Sequence, residues 1–263
     1  MQIIKGSQKS GLVVSLCVMG FVYFLANLLQ QEKYPIIEQS VYPTDVFFIV
    51  VSPITVIFAS VLVARHRFTG SHAKAWILFL AGSITWYVAD LTYYYNSEYI
   101  AQNNNSYLVD YLYYSSYFLY FGFMIFYLKP RKNKISKKMI MLGAIISMAF
   151  IAPSLYFIAQ KGDAGEETGI NMIYPFLDSM VFVPAFVGVI LFFRGEVNFL
   201  WMVIILGIIC MAVADTLFLI ERCLELFSPS SMVNLFFAWK WILFGFGAYN
   251  HIKIFGATSL AKQ

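Results

Sequence analysis

Two stretches, WILFLAGSITWYVAD at Trp76–Asp90 and WMVIILGIICMAVAD at Trp201–Asp215, align without a gap and share six of fifteen residues. Each is apolar almost throughout, and each ends on an aspartate. Both belong to apolar runs of about 20 residues, the length that crosses a hydrocarbon core ~30 Å thick at a helical rise of ~1.5 Å per residue. They read as helices that cross a bilayer and carry an acid with them.

Working outward, six further runs have the same character. The expected spans are Gly11–Gln30, Val46–Ala64, Ala75–Tyr95, Tyr107–Leu128, Met139–Ile158, Phe176–Phe193, Leu200–Ile220 and Met232–Ile252. Composition agrees, since 60% of the 263 residues are hydrophobic and only 12% are charged. A soluble domain carries roughly 25% charged residues, so an ordinary water-soluble fold is excluded. The runs are too long for barrel strands and lack strict alternation. The expected fold is an all-α membrane protein with eight transmembrane helices.

Charge placement sets the expected orientation. With eight alternating spans, fourteen cations, including Lys5, Lys9, Arg65, Arg67, Lys74, Lys129, Arg131, Lys132, Lys134, Lys137, Lys138 and Arg194, fall on one side. Only Lys33, Lys161 and Arg222 fall on the other. The positive-inside rule then puts both termini in the cytoplasm of a multi-pass cell-membrane protein. The acids follow the opposite pattern, with Glu196 alone on the basic side outside the membrane. The first span is read as a retained helix, because no small-residue cleavage site follows it. The basic run Lys129–Lys138 is read as an orientation signal or an anionic-lipid contact rather than a protein-docking site. The sequon at Asn104 would face outside.

The aligned stretches extend into a duplication. Tyr42-Pro43 and Asp45 answer to Tyr174-Pro175 and Asp178, Pro53 to Pro184, and Asp110 to Asn234. Residues 1–130 and 131–263 are expected to form two four-helix repeats. An even number of spans per unit makes them parallel, related by an axis along the membrane normal.

Ionisable groups inside a bilayer cost at least ~2.5–3.5 kcal/mol on insertion scales, so each needs a partner, a watery cavity or a function. Asp90, Asp215 and Lys240 are of this kind, and Asp45, Asp110, Asp178 and Asn234 sit nearer the outer helix ends. Together with Tyr94, one turn beyond Asp90, they make the expected ligand-binding cluster, an outward-facing polar pocket. The opposing reading is architectural, with Gly82-Trp86-Asp90 and Gly207-Met211-Asp215 as stripes that clamp helices together, glycine permitting close approach. Lys240 breaks the duplication, since Ser116 is its counterpart, and it is expected to pair with Asp215 or Asp90. Most of the tyrosines at that level read as an interfacial belt.

Enzyme signatures are missing. There is no HExxH, Gly-x-Ser-x-Gly, P-loop or dinucleotide fingerprint, so no catalytic residue, metal ligand or cofactor is named. His66, His72 and His251 read as solvated cytoplasmic side chains. Cys17, Cys210 and Cys223 are too few and scattered for a disulfide framework or a zinc site. A lysine in the last helix and an acid in the third also fit a retinal protein, but eight helices, a cytoplasmic amino terminus and no acid four residues before Lys240 argue against it. Nothing points to nucleic acid; the lipid bilayer is the expected partner.

Tyr174-Pro-x-x-Asp178, its shorter counterpart Tyr42-Pro-x-Asp45, and Gly-x5-Val-Ala-Asp at Gly82–Asp90 resemble the polytopic membrane regions that precede signalling domains in prokaryotic diguanylate cyclases and histidine kinases. The likeness is best from Tyr174 to Asn250, and Asn234 stands there where an acid is expected. It implies a membrane sensor-like module. No output domain follows Gln263, so a separate membrane or cytoplasmic signalling partner would be needed. The alternatives are a structural subunit of a larger membrane complex, or a membrane-embedded hydrolase or transporter using Asp90 and Asp215.

Overall fold

The computed structural model describes residues 43–65, 70–99, 107–161, 166–192, 196–226 and 231–260, with part of 13–24. Helical residues within 13–24 form α1. They are followed by α2 (Pro43–Arg65), α3 (Gly70–Tyr99), α4 (Tyr107–Leu128), α5 (Lys137–Lys161), α6 (Glu166–Phe192), α7 (Glu196–Cys223) and α8 (Val233–Leu260). No strand occurs among the described residues.

Local chemistry explains where these helices start and stop. Pro43 opens α2, where its missing N–H costs nothing. Between α4 and α5 the basic run forms a short 3-10 turn, Lys129–Lys134, with Pro130 near its start. Ser136 Oγ then accepts from Met139 N at 3.2 Å and caps α5. At the far end of α7 the chain turns back through Glu225 at φ 57°, while Leu226 N donates to Glu221 O at 2.8 Å, the bonding of a Schellman stop.

Pro53, Pro153, Pro175 and Pro184 lie inside helices. Proline in mid-helix removes a backbone donor, a defect that neighbouring helices and nearby hydroxyls can offset in membrane bundles.

Among the described residues five helices are long and apolar enough to cross a membrane, over Phe47–Arg65, Gly70–Tyr93, Lys137–Gln160, Asn171–Leu191 and Trp201–Cys223. This is a membrane protein. The two other long helices are more polar by composition: α4 holds seven tyrosines, and α8 carries Asn234, Lys240, Asn250, His251 and Lys253.

Neighbouring helices close into a ring. α2 packs on α3, α3 on α4, α4 on α6, α6 on α7, α7 on α8, and α8 back on α2. α5 lies outside, against α6 and α7. α1 meets α2 and α8, with the Tyr23 ring 4.6 Å from that of Phe47 and its hydroxyl donating to Asn234 O at 3.0 Å.

The surface is apolar where lipid would touch it. Ile140, Met141, Leu142, Ile145 and Met148 are exposed on α5, as are Val50, Ile54 and Ile57 on α2. The interior is aromatic. Trp76, Phe79, Tyr117, Tyr120, Phe123, Trp241 and Phe244 are fully or almost fully buried. Two glycines let helices close on this core. A Cβ at Gly82 would stand 3.1 Å from the Tyr120 ring, and one at Gly207 only 2.6 Å from the Phe244 ring.

Candidate functional site

The polar residues gather in the half of the ring remote from the basic turn Lys129–Lys134. α3 and α7 bring Asp90 and Asp215 there in their later turns, while α4, α6 and α8 enter with Asp110, Asp178 and Lys240 in their earlier ones. Lys240 is wholly buried, Asp178 is 1% exposed and Asp215 9%. Asp90, Asp110 and Asn234 are half-buried.

Tyrosines of α4 and α6 hold the acids. Tyr117 OH lies 2.6 Å from Asp178 Oδ1 and closer still to Asp215 Oδ2. A phenol has one hydrogen, so it donates to one carboxyl group at a time, and the other contact needs a proton on the carboxyl side. Tyr113 donates to Asp90 Oδ1 at 2.9 Å, and Tyr174 to Asp110 Oδ1 at 2.6 Å. The rings knit the clusters together, with Trp86 5.0 Å from Tyr113 and 5.6 Å from Tyr117, and Tyr174 5.0 Å from Tyr114.

Lys240, expected within salt-bridge or one-water distance of Asp215 or Asp90, makes no direct hydrogen bond to either. Its Nζ has no hydrogen-bond partner and stands over the Trp86 ring at 3.5 Å, with Trp241 at 4.4 Å. Asp90 and Asp215 are near enough for their charges to act on it. Tyr113 and Tyr117 bond one oxygen of each acid, and the negative face of an indole receives the ammonium.

The structure thus brings Asp90, Asp178, Asp215 and Lys240 together, with the Asp110–Tyr174 pair adjoining them through Tyr114 and Tyr117. Asn234 lies in the first turn of α8, its carbonyl engaged by Tyr23. Asp45 lies in the first turn of α2 and Tyr94 in the later part of α3, but their side chains, like the loop with Asn104, lie outside the described residues. Sequence reasoning missed Tyr113, Tyr117 and Tyr174 by treating tyrosines as a belt, and it did not single out Trp241. A usable signal existed, because Asp110, Tyr113, Tyr117 and Tyr120 fall on one α4 face at helical spacing.

One histidine needs correcting. His251 is not solvated; it is 1% exposed, its ring 4.3 Å from Trp201 and 5.2 Å from Trp76, with Nδ1 2.8 Å from Gly247 O. It lies on the face of α8 that packs between the two tryptophans. Among the described residues no three His, Cys, Asp or Glu side chains are grouped to hold a metal ion.

The chain matches no protein family, no curated protein and no solved structure.

Proposed function

We propose that the protein is a sensor-like, ligand-binding membrane module whose polar centre, built on Asp90, Asp178, Asp215 and Lys240, opens toward the outside of the cell membrane. The observation that carries this reading is Lys240. It is wholly buried, flanked by two indoles and without a hydrogen-bond partner, in an interior that also holds three acids. A lysine serving only to clamp helices would direct its N–H groups at carboxylate or carbonyl oxygens; this one rests on the faces of Trp86 and Trp241 and bonds no oxygen.

The architecture belonging to this reading has eight spans in two parallel four-helix units, 1–130 and 131–263, with both termini in the cytoplasm. The helix neighbours support it. Exchanging α2 with α6, α3 with α7 and α4 with α8 maps the ring of contacts onto itself. Lys240 faces Trp86, whereas the counterparts of these two residues are Ser116 and Met211, so a near-symmetric scaffold would carry an asymmetric site.

Native mass spectrometry of the chain, extracted gently from its membrane, tests the function. A non-lipid species retained by the wild type and lost from a folded Lys240→Met variant is the expected result. A wild type that carries nothing, and whose melting responds to no small molecule offered, would refute the reading.

A second reading has its own observation. Tyr117 ties α4 to α6 and α7 through Asp178 and Asp215, which is what a helix clamp does. That serves a structural subunit equally well, and stoichiometric co-purification of membrane partners would favour it.

A further inference from the structure

We propose that Tyr117, Asp178 and Asp215 hold one exchangeable proton between them, and that its release as pH rises unfastens α4 from α6. The bound species is the proton itself, whether or not the centre also takes a larger ligand.

Tyr117 OH stands 2.6 Å from Asp178 Oδ1 on α6 and in closer contact with Asp215 Oδ2 on α7. The three residues are 0%, 1% and 9% exposed, so water does not stand in freely for a missing donor. With both acids ionised, the phenol would have one hydrogen for two carboxylates, and one pair of oxygens would face each other with none between them. A proton on either carboxyl group supplies the second hydrogen. That acid then donates to the phenol oxygen while the phenol donates to the other acid, and the contacts are met equally with the proton on Asp178 or on Asp215.

The surroundings leave this need in place. Lys240 on α8 and Asp90 on α3 both act on Asp215, with opposite sign. Asp90 has its own donor in Tyr113, and Asp110 has one in Tyr174, whose ring lies 6.5 Å from that of Tyr117. α5, packed against α6 and α7, carries its charges at its ends, in Lys137, Lys138 and Lys161.

Release breaks one carboxyl O–H bond, leaves its electron pair on the carboxylate, and passes the proton to water at Asp215, the more exposed of the two acids. The phenol keeps its hydrogen, since a tyrosine ordinarily ionises near pH 10 and an aspartate near pH 4. Tyr117 then serves one carboxylate. Asp215, in closer contact, keeps it, while Asp178 retains the Thr216 hydroxyl of α7, which also bonds it. The bond lost is Tyr117 to Asp178, the one that runs from α4 to α6.

The test uses the full chain in lipid nanodiscs. Infrared spectra of the folded wild type at neutral pH should show a carboxylic-acid C=O band that shifts in heavy water and fades as pH rises. Either Asp178→Asn or Asp215→Asn should remove it, because an amide brings its own hydrogens to the phenol and leaves the other acid ionised; Asp90→Asn and Asp110→Asn should keep it. The unfolding midpoint gives the second readout. Unfolded aspartates are ionised above about pH 4. The native state thus holds one proton more, and the unfolding constant should rise about tenfold per pH unit until that proton leaves too. In Asp178→Asn this component is absent, so its midpoint should fall less than that of the wild type as pH rises. A band that survives one of the two trio substitutions would assign the proton to a single acid and overturn the sharing. A folded wild type without the band at neutral pH, or one whose midpoint follows pH no more steeply than Asp178→Asn, would overturn the proposal. If one variant folds poorly, the wild-type band and the other variant still decide.

Discussion

The rings of Trp76 and Trp201 stand 5.2 Å apart, inclined by 32°, and these residues open the two stretches that align along the chain. Residues related by a two-fold axis can touch only if they lie beside it. Their neighbours follow the same relation. Tyr127 packs on Trp201 at 4.1 Å and its counterpart His251 on Trp76 at 5.2 Å; Gly82 faces Tyr120 as Gly207 faces Phe244. These pairings support the proposed two-unit architecture.

The glycine contacts make a graded prediction. Gly207→Ala places a methyl 2.6 Å from the Phe244 ring, and overpacking of this kind costs typically 1–3 kcal/mol. Gly82→Ala, whose methyl would stand 3.1 Å from the Tyr120 ring, is less tight and should cost less. Unfolding of both variants in the same bilayer mimic checks the order, and equal or inverted losses would count against the packing described.

Much of the fold was legible because bilayer thickness imposes one helix length. The run Tyr107–Leu128 coincides with α4, and the last seven expected spans each fall on a helix, although α3 and α6 to α8 extend beyond the hydrocarbon-length core at one or both ends. The site was harder to read. Hydropathy treats Tyr117 like exposed Tyr111, and only three-dimensional packing turns one toward Asp178 and Asp215 and the other to the surface. His251 was misread for the same reason, since a polar residue near a helix end looks solvated until its neighbours, here Trp76 and Trp201, are known.

Tyr117→Phe should destabilise the chain by about 1–3 kcal/mol, the cost of leaving buried acceptors without their donor. Adding Asp178→Asn should recover part of the loss, because an amide donates where the phenol did and removes one of two facing acids. A double-mutant cycle in chemical unfolding reads the coupling. Strict additivity would show that the trio is not a unit.

Orientation can be read in intact cells. Single cysteines at 104 and 166 should react with an impermeant thiol reagent, and those at 134 and 263 should react only after the membrane is opened. Labelling of position 134 in sealed cells, with 104 protected, would invert the proposed topology.

The account's central claim is that Lys240 serves a ligand rather than a clamp, and the unfolding midpoints of Lys240→Met and Asp215→Ala, measured side by side, test it most directly. Tyr113 and Tyr117 still hold Asp90 and Asp215 when the lysine is gone, so Lys240→Met should remain close to wild type in stability. Asp215→Ala removes the carboxyl group bonded to Tyr117 and one of the two acids whose charges act on the Lys240 ammonium, and should lose about 1–3 kcal/mol. A Lys240→Met protein that unfolds as readily as Asp215→Ala would show that the lysine holds the helices together, and would contradict the account.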